Sequence, residues 1–186
     1  LIAADMLPPV IRFDCRITPL KQDASFRPGA QYHLYHGSSQ YLVSIRSLDP
    51  VAGYFQIRSH EPLQVCYGDR FIIRDPAATE TLAGGYVIDT YVPRRGRSSE
   101  ARLLELAAKD NKPPAALAKL LHEAKLGVDL QQFSRNYNIP LNNVQVLLES
   151  SASEAIVFPA NSLLVHRALG LSQFKSLQNA ILKLIS

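Results

Sequence analysis

The residues best suited to chemistry in this chain are His33-x-x-His36, the pair Cys15 and Cys66, and the dipeptide Gly84-Gly85. Two histidines at that spacing could ligate a metal. In a strand, however, residues three apart project to opposite faces, so these imidazoles diverge. Cys15 and Cys66 each stand in an apolar-alternating segment and read as small buried side chains, with a disulfide between them the minor alternative. Gly84-Gly85 alone is a weak phosphate signal, and a turn needing positive φ explains it at least as well. His60, His122 and His166 have no partner that the sequence identifies. The chain carries no phosphate loop of the G-x-x-x-x-G-K-S/T type, no G-x-S-x-G elbow, no H-E-x-x-H and no C-x-x-C pair. No catalytic residue and no metal site are expected.

The remaining chemistry is that of binding. Arg70-Phe71-Ile72-Ile73-Arg74-Asp75 places Arg70 and Arg74 opposite Phe71 and Ile73, with Asp75 at the strand end beside a polar loop, Pro76 to Thr81. A loop at the rim of a rigid scaffold is a natural contact site, although solvated outward arginines are the plainer reading of the same pattern. Arg94, Arg95 and Arg97 suit a phosphate backbone, though such runs also merely solubilise linkers.

Strands must position these residues. From Val10 to Thr18 the chain alternates strictly, with Ile11, Phe13, Cys15 and Ile17 on one face and Arg12, Asp14, Arg16 and Thr18 on the other. Pro28-Gly29 opens a second strand through Tyr32, Leu34 and His36, and Gly37-Ser38-Ser39 turns it into a third carrying Tyr41, Val43 and Ile45. Phe55 and Ile57 point inward from a fourth. A strand through Phe71 and Ile73 follows Gly68-Asp69, and a last strand from Tyr86 to Tyr91 follows the Gly84-Gly85 turn. Six or seven short strands separated by turn signals predict an all-β antiparallel barrel or sandwich.

At Pro93 the pattern changes, and the domain boundary is expected there, giving residues 1–93 and 94–186. Ser98 is the expected cap of a first helix whose apolar side holds Leu103, Leu104, Leu106 and Ala107. Pro113 starts a second helix that stops at Gly127. Asp129 caps a short helix ending near Tyr137, Asn138-Ile139-Pro140 makes a turn, and Leu141, Val144, Leu147 and Leu148 line one face of the next helix. This is helix-turn-helix spacing. Residues 156–158 and 163–165 then form a plausible wing hairpin, and Ser172 begins a closing helix with Phe174, Leu177, Ile181 and Leu184 inward. The second half is thus expected to be a mainly α winged-helix domain.

With 47% hydrophobic residues the chain can bury one moderate core or two small ones. No apolar run approaches the roughly 20 residues that a membrane-spanning helix needs. No secretion signal opens the chain, so a cytoplasmic protein without membrane contact is expected. A monomer is expected as well. The start at Leu1-Ile2, without an initiator Met, suggests a piece of something longer. Residues 1–93 hold 8 Lys+Arg against 9 Asp+Glu, and residues 94–186 hold 12 against 7, so charge alone nominates the second half as the polyanion-facing one.

Gly68-Asp69-Arg70-Phe71-Ile72-Ile73-Arg74-Asp75, followed by Thr81-Leu82-Ala83-Gly84-Gly85-Tyr86-Val87-Ile88-Asp89, resembles the third domain of translational GTPases of the elongation factor Tu type. The look is closest to the SelB family, the bacterial selenocysteine-specific elongation factors. Tyr35-His36-Gly37-Ser38 and Glu61-Pro62 ahead of Gly68 support it. The resemblance is strong over about residues 30 to 90 and rests on the order of elements thereafter. Ala83 departs from the pattern, standing where the family usually has a third glycine.

The resemblance implies a barrel that cradles the T arm of selenocysteyl-tRNA and packs on a GTPase domain outside this chain. GTP and Mg²⁺ would belong to that domain, so this piece would need no cofactor and would not be an enzyme by itself. Asp75 stands at the position of an acidic residue that lies near the T stem in the family. Ser38 and Ser39 correspond to a turn that also meets the tRNA, and Arg74 and Thr81 flank the same rim. An acid there would act through the ribose 2′-hydroxyl or by lowering affinity. The ribosome is a further implied partner, and downstream domains would grip the messenger hairpin. The winged helix would serve as a spacer. The competing expectation is a DNA-binding regulator with residues 141–150 as recognition helix, but that stretch offers Asn and Gln and no Arg or Lys.

Overall fold

The computed structural model describes residues 7–21, 26–124, 127–150, 155–158 and 167–185. Six strands close into an antiparallel barrel: β1 (Val10–Pro19), β2 (Gln31–His36), β3 (Ser39–Asp49), β4 (Tyr54–Leu63), β5 (Arg70–Arg74) and β6 (Thr81–Asp89). Their order around the barrel is β1-β4-β3-β2-β5-β6, and β1 also pairs with β6 to complete the ring. Closure removes the open edges that an antiparallel sheet would otherwise expose.

The period of two carries the core. Phe13, Cys15 and Ile17 of β1, Val43 and Ile45 of β3, Ile57 of β4 and Phe71 and Ile73 of β5 all point inward and are buried. Phe13 meets Phe71 edge-on with ring centroids 5.9 Å apart. Each large apolar side chain so buried contributes about 1.5–3 kcal/mol. Both cysteines are free and buried. Cys15 Sγ lies 3.4 Å from the Phe55 carbonyl oxygen, and burial pushes its thiol well above the ordinary value.

Two sequence expectations about the barrel are corrected. Ile11 is 44% exposed, because the pairing of β1 with β4 slips between Val10 and Arg12 and the alternation loses its inward sense there. Gly84 and Gly85 form no turn. They lie within β6, neither with positive φ, and a Cβ on Gly85 would sit 2.5 Å from the Arg16 carbonyl oxygen and 2.6 Å from the Phe71 ring. The glycine is there for close approach.

After the barrel come α1 (Glu100–Lys109), α2 (Pro113–Glu123), β7 (Val128–Asp129), α3 (Leu130–Tyr137), α4 (Leu141–Ser150), β8 (Ala155–Phe158), β9 (Arg167–Gly170) and α5 (Leu171–Ile185). The mainly helical second part is as expected, with a small sheet in the order β7-β9-β8. Asp129 caps α3 by accepting from the Gln131 and Gln132 N–H groups, and Asn138 closes it in the left-handed region with φ 51°. None of the described helices is long and apolar enough to cross a membrane.

Four details of this part differ from expectation or fall beyond view. Ser99, not Ser98, caps α1, its Oγ accepting from the Arg102 N–H at 3.3 Å. Within α1, Leu106 and Ala108 are buried while Leu104 and Ala107 are exposed. The strand paired with β8 is Arg167–Gly170, and the expected second wing strand, residues 163–165, lies outside the described residues. On α5, Leu177 and Ile181 are 40% and 51% exposed rather than inward. An amphipathic pattern shows which face could be covered, and nothing among the described residues of this unit covers that one.

By contact density the chain divides into two compact units between Leu103 and Leu104, inside α1. The linker and the first turn of α1 therefore belong with the barrel. Counted over these units, Lys+Arg against Asp+Glu is 12 to 10 for residues 1–103 and 8 to 6 for residues 104–186, a formal +2 each. The charge asymmetry of the sequence came from the linker arginines.

Candidate nucleic-acid interface

The loop between β5 and β6 is built by one side chain. Asp75 Oδ1 accepts from the N–H groups of Thr79 and Glu80, each at 2.6 Å, and Oδ2 accepts from the Ala77 N–H at 3.3 Å and the Thr79 hydroxyl at 3.0 Å. These donors, led by the Glu80 N–H, hold the Asp75 carboxyl below its ordinary value of 3.8. Its main chain closes the same loop, the Asp75 N–H donating to the Glu80 carbonyl at 3.0 Å. Ala78 takes φ 56° inside the turn.

Neighbouring strands brace the loop. Arg74 donates to the Thr79 carbonyl at 3.1 Å, and its guanidinium lies 5.8 Å from the centre of the Tyr35 ring on β2. His33 Nε2 is 3.2 Å from the Pro76 carbonyl oxygen, and the Gln40 amide lies 2.6 Å from His33 Nδ1. An imidazole protonated on Nε2 satisfies both contacts. Lys21 pairs with Glu80 on the outside. His36, by contrast, stands 3.5 Å from Asp69, so the two histidines answer to different partners. Among the described residues, no three His, Cys, Asp or Glu side chains could together hold a metal ion.

Arg74, Asp75 and Thr81 therefore come together, Thr81 pairing with Arg74 at the start of β6. Ser38 and Ser39 do not join them. Both are exposed at the tight turn between β2 and β3, whose first position, Gly37, has φ 57°. On β2, His33 pairs with Arg74 whereas His36 pairs with Ser39, three residues or roughly 10 Å further along the strand. The turn instead borders an open groove of about 520 Å³ lined by Thr18, Tyr35, Arg70, Ile72, Gly84 and Tyr86. Its floor is low because Gly84 carries no side chain opposite Ile72, itself 48% exposed. Arg94 and Arg95 are exposed and Arg97 partly so, in the linker that bends at Gly96 with φ 66°.

One buried cluster escaped the sequence reading. Arg102, in the first turn of α1, donates from one nitrogen to Asp14 Oδ2 at 2.6 Å and to Asp89 Oδ2 at 2.7 Å. Gln56 donates to Asp14 Oδ1 at 2.9 Å, and the Tyr91 N–H donates to Asp89 Oδ1 at 3.0 Å. Burial raises the Asp14 carboxyl above its ordinary value, against the lowering effect of Arg102. Alternation put Asp14 on the polar face, and its partner lies 88 residues away, so only the fold could bring them together.

The closed six-stranded barrel with its braced β5–β6 loop, followed by a helical region, is a barrel of the kind found as the third domain of translational GTPases of the elongation factor Tu type. Residues 13–94 match the family model of the selenocysteine-specific elongation factor (SelB) beta-barrel domain. In fold the chain is similar to the crystal structure of a bacterial selenocysteine-specific elongation factor, EF-Sec, with TM-score 0.63 and 18% identity over 97% of this chain. That likeness is one of fold, and the chain spans 27% of the length of the EF-Sec chain. No curated protein sequence matches this chain significantly.

Proposed function

We propose that this chain is the barrel and adjoining helical portion of a factor that delivers selenocysteyl-tRNA to the ribosome in the cytoplasm. The match of residues 13–94 to the barrel domain of selenocysteine-specific elongation factors carries the reading. In it, the Arg74 to Thr81 rim meets the tRNA T arm. Asp75 shapes the rim rather than gripping RNA, since both its oxygens are engaged within the loop, and Arg74, the exposed Thr79 and the loop backbone make the contacts.

The groove beside Ile72, Tyr35 and Tyr86 is the side that packs on a GTPase domain, its half-exposed apolar centre being suited to another protein surface. GTP and Mg²⁺ belong to that domain, and the chain has no phosphate-loop sequence to hold them. The helical unit is a winged helix acting as a monomeric spacer toward the end of the factor that binds the messenger hairpin. The exposed side of α4 supports a spacer over a DNA reader: it presents Asn142, Asn143, Gln145, Val146 and Glu149, with no cation to anchor phosphates. Titration of the 186-residue chain with selenocysteyl-tRNA and with an elongator tRNA tests the reading. Tighter binding of the former, weakened by Arg74→Gln, supports it, and equal weak binding of both overturns it.

A further inference from the structure

The outer face of β1, β4 and β3 carries positive charge that no acid among the described residues answers. Arg12 of β1 stands directly opposite Arg58 of β4, which in turn stands opposite Ser44 of β3. Two residues along, Asp14 faces Gln56 and Gln56 faces Arg46. The alternate residues Phe13, Val43, Ile45 and Ile57 point into the core, so the three arginines share the outward side. Arg46 and Arg58 are exposed, Arg12 is partly buried, and none of the three pairs with a carboxylate among the described residues.

The acids within these rows are already engaged. Asp14 is held by Arg102 and Gln56, and Asp49 Oδ1, at the end of β3, accepts from the Val51 and Ala52 N–H groups. Glu61 lies three residues beyond Arg58, within the break in pairing with β1. Directly opposed like charges on neighbouring strands repel, and an anion laid across them removes the repulsion. The side chains of both rows are polar or charged throughout. Protein interfaces centre on apolar groups and are poor in charge, whereas a phosphate backbone asks for arginines and neutral donors without an apolar centre.

By strand order β4 is three places from β5 in either direction round the ring, so this face lies across the barrel from the Arg74 rim. We propose that Arg12, Arg46 and Arg58 bind the sugar–phosphate backbone of a structured RNA, separately from the tRNA arm at the rim. The inference rests on the reading of the chain as one that works among RNAs.

The test is fluorescence anisotropy of the 186-residue chain with an RNA duplex of about 16 base pairs, across a salt series of about 50 to 200 mM. The expected result for R46Q/R58Q is at least a tenfold loss of affinity with a salt slope flatter by roughly 2, while thermal unfolding is unchanged. R46K/R58K should keep the slope, because backbone contact needs the charge more than the guanidinium fork. Unchanged affinity and slope in R46Q/R58Q overturns the proposal, as does equal binding of polyglutamate. A parallel arm measures selenocysteyl-tRNA binding by Arg74→Gln. Loss there with duplex binding intact separates the rim from this face, and so keeps a failure of one assignment distinct from a failure of the other.

Discussion

Asp75, just past the end of β5, and Asp14, within β1, both have their carboxylate oxygens fully engaged, yet they do different work. Asp75 lies on the surface and its donors come from within five residues, so it shapes one loop. Asp14 is fully buried and shares Arg102 with Asp89, so it fastens the start of α1 to the barrel strands. A surface acid satisfied by local N–H groups leaves its surroundings open to a ligand. A buried acid satisfied from 88 residues away holds the fold and has no access to one.

The contrast breaks first at Arg102. Arg102→Met leaves two buried carboxylates without their cation, and urea unfolding should show a loss of about 3–5 kcal/mol. A loss below about 1 kcal/mol would mean that the cluster is solvated and not a fastener. Gly85→Ala comes next, because its new methyl would meet the Arg16 carbonyl, which belongs to the backbone and cannot swing aside. A destabilisation of about 1–3 kcal/mol in the same assay is expected.

The Asp75 side is sharpened by pH. A depressed carboxyl contributes order that is present above its unfolded value and lost as pH falls through its folded value. The Thr79 and Glu80 amide resonances should therefore hold steady down to the ordinary carboxylate value of 3.8 and shift only below it. Asp75→Asn should abolish that titration while changing global stability by no more than about 1 kcal/mol. Asp14 has the opposite sign: with its carboxyl raised by burial, its contribution declines as pH rises from 3.8 toward the folded value. The smallest effect belongs to R46Q/R58Q, whose stability should stay within about 0.5 kcal/mol of the parent.

The barrel was legible because β1, β3 and β4 each bury one face, and a period of two shows in the chain itself: Phe13, Cys15 and Ile17, or Tyr41, Val43 and Ile45. What alternation cannot show is what lies across the ring. Gly85 was visible as a glycine, but the reason for it is the approach of Arg16 and Phe71 from neighbouring strands. The sequence marks Asp75 as a rim residue but carries no sign that both its oxygens are engaged within the loop. The resemblance places Ser38 and Ser39 with Asp75 at the tRNA, whereas the pairing of β2 sets them at the other end of the strand. Pro113 and the Asp129 cap mark the starts of α2 and α3, whereas Ser99 rather than Ser98 caps α1, and α2 ends at Glu123, short of Gly127. Whether an apolar helix face such as Leu177 and Ile181 is covered depends on what packs there, not on its own sequence.

Hydroxyl-radical footprinting of selenocysteyl-tRNA bound to the 186-residue chain tests the rim most directly. Protection of T-arm riboses that disappears with Arg74→Gln and persists with R46Q/R58Q is the predicted result. Protection elsewhere on the tRNA, or a T-arm footprint that Arg74→Gln leaves intact, would contradict it.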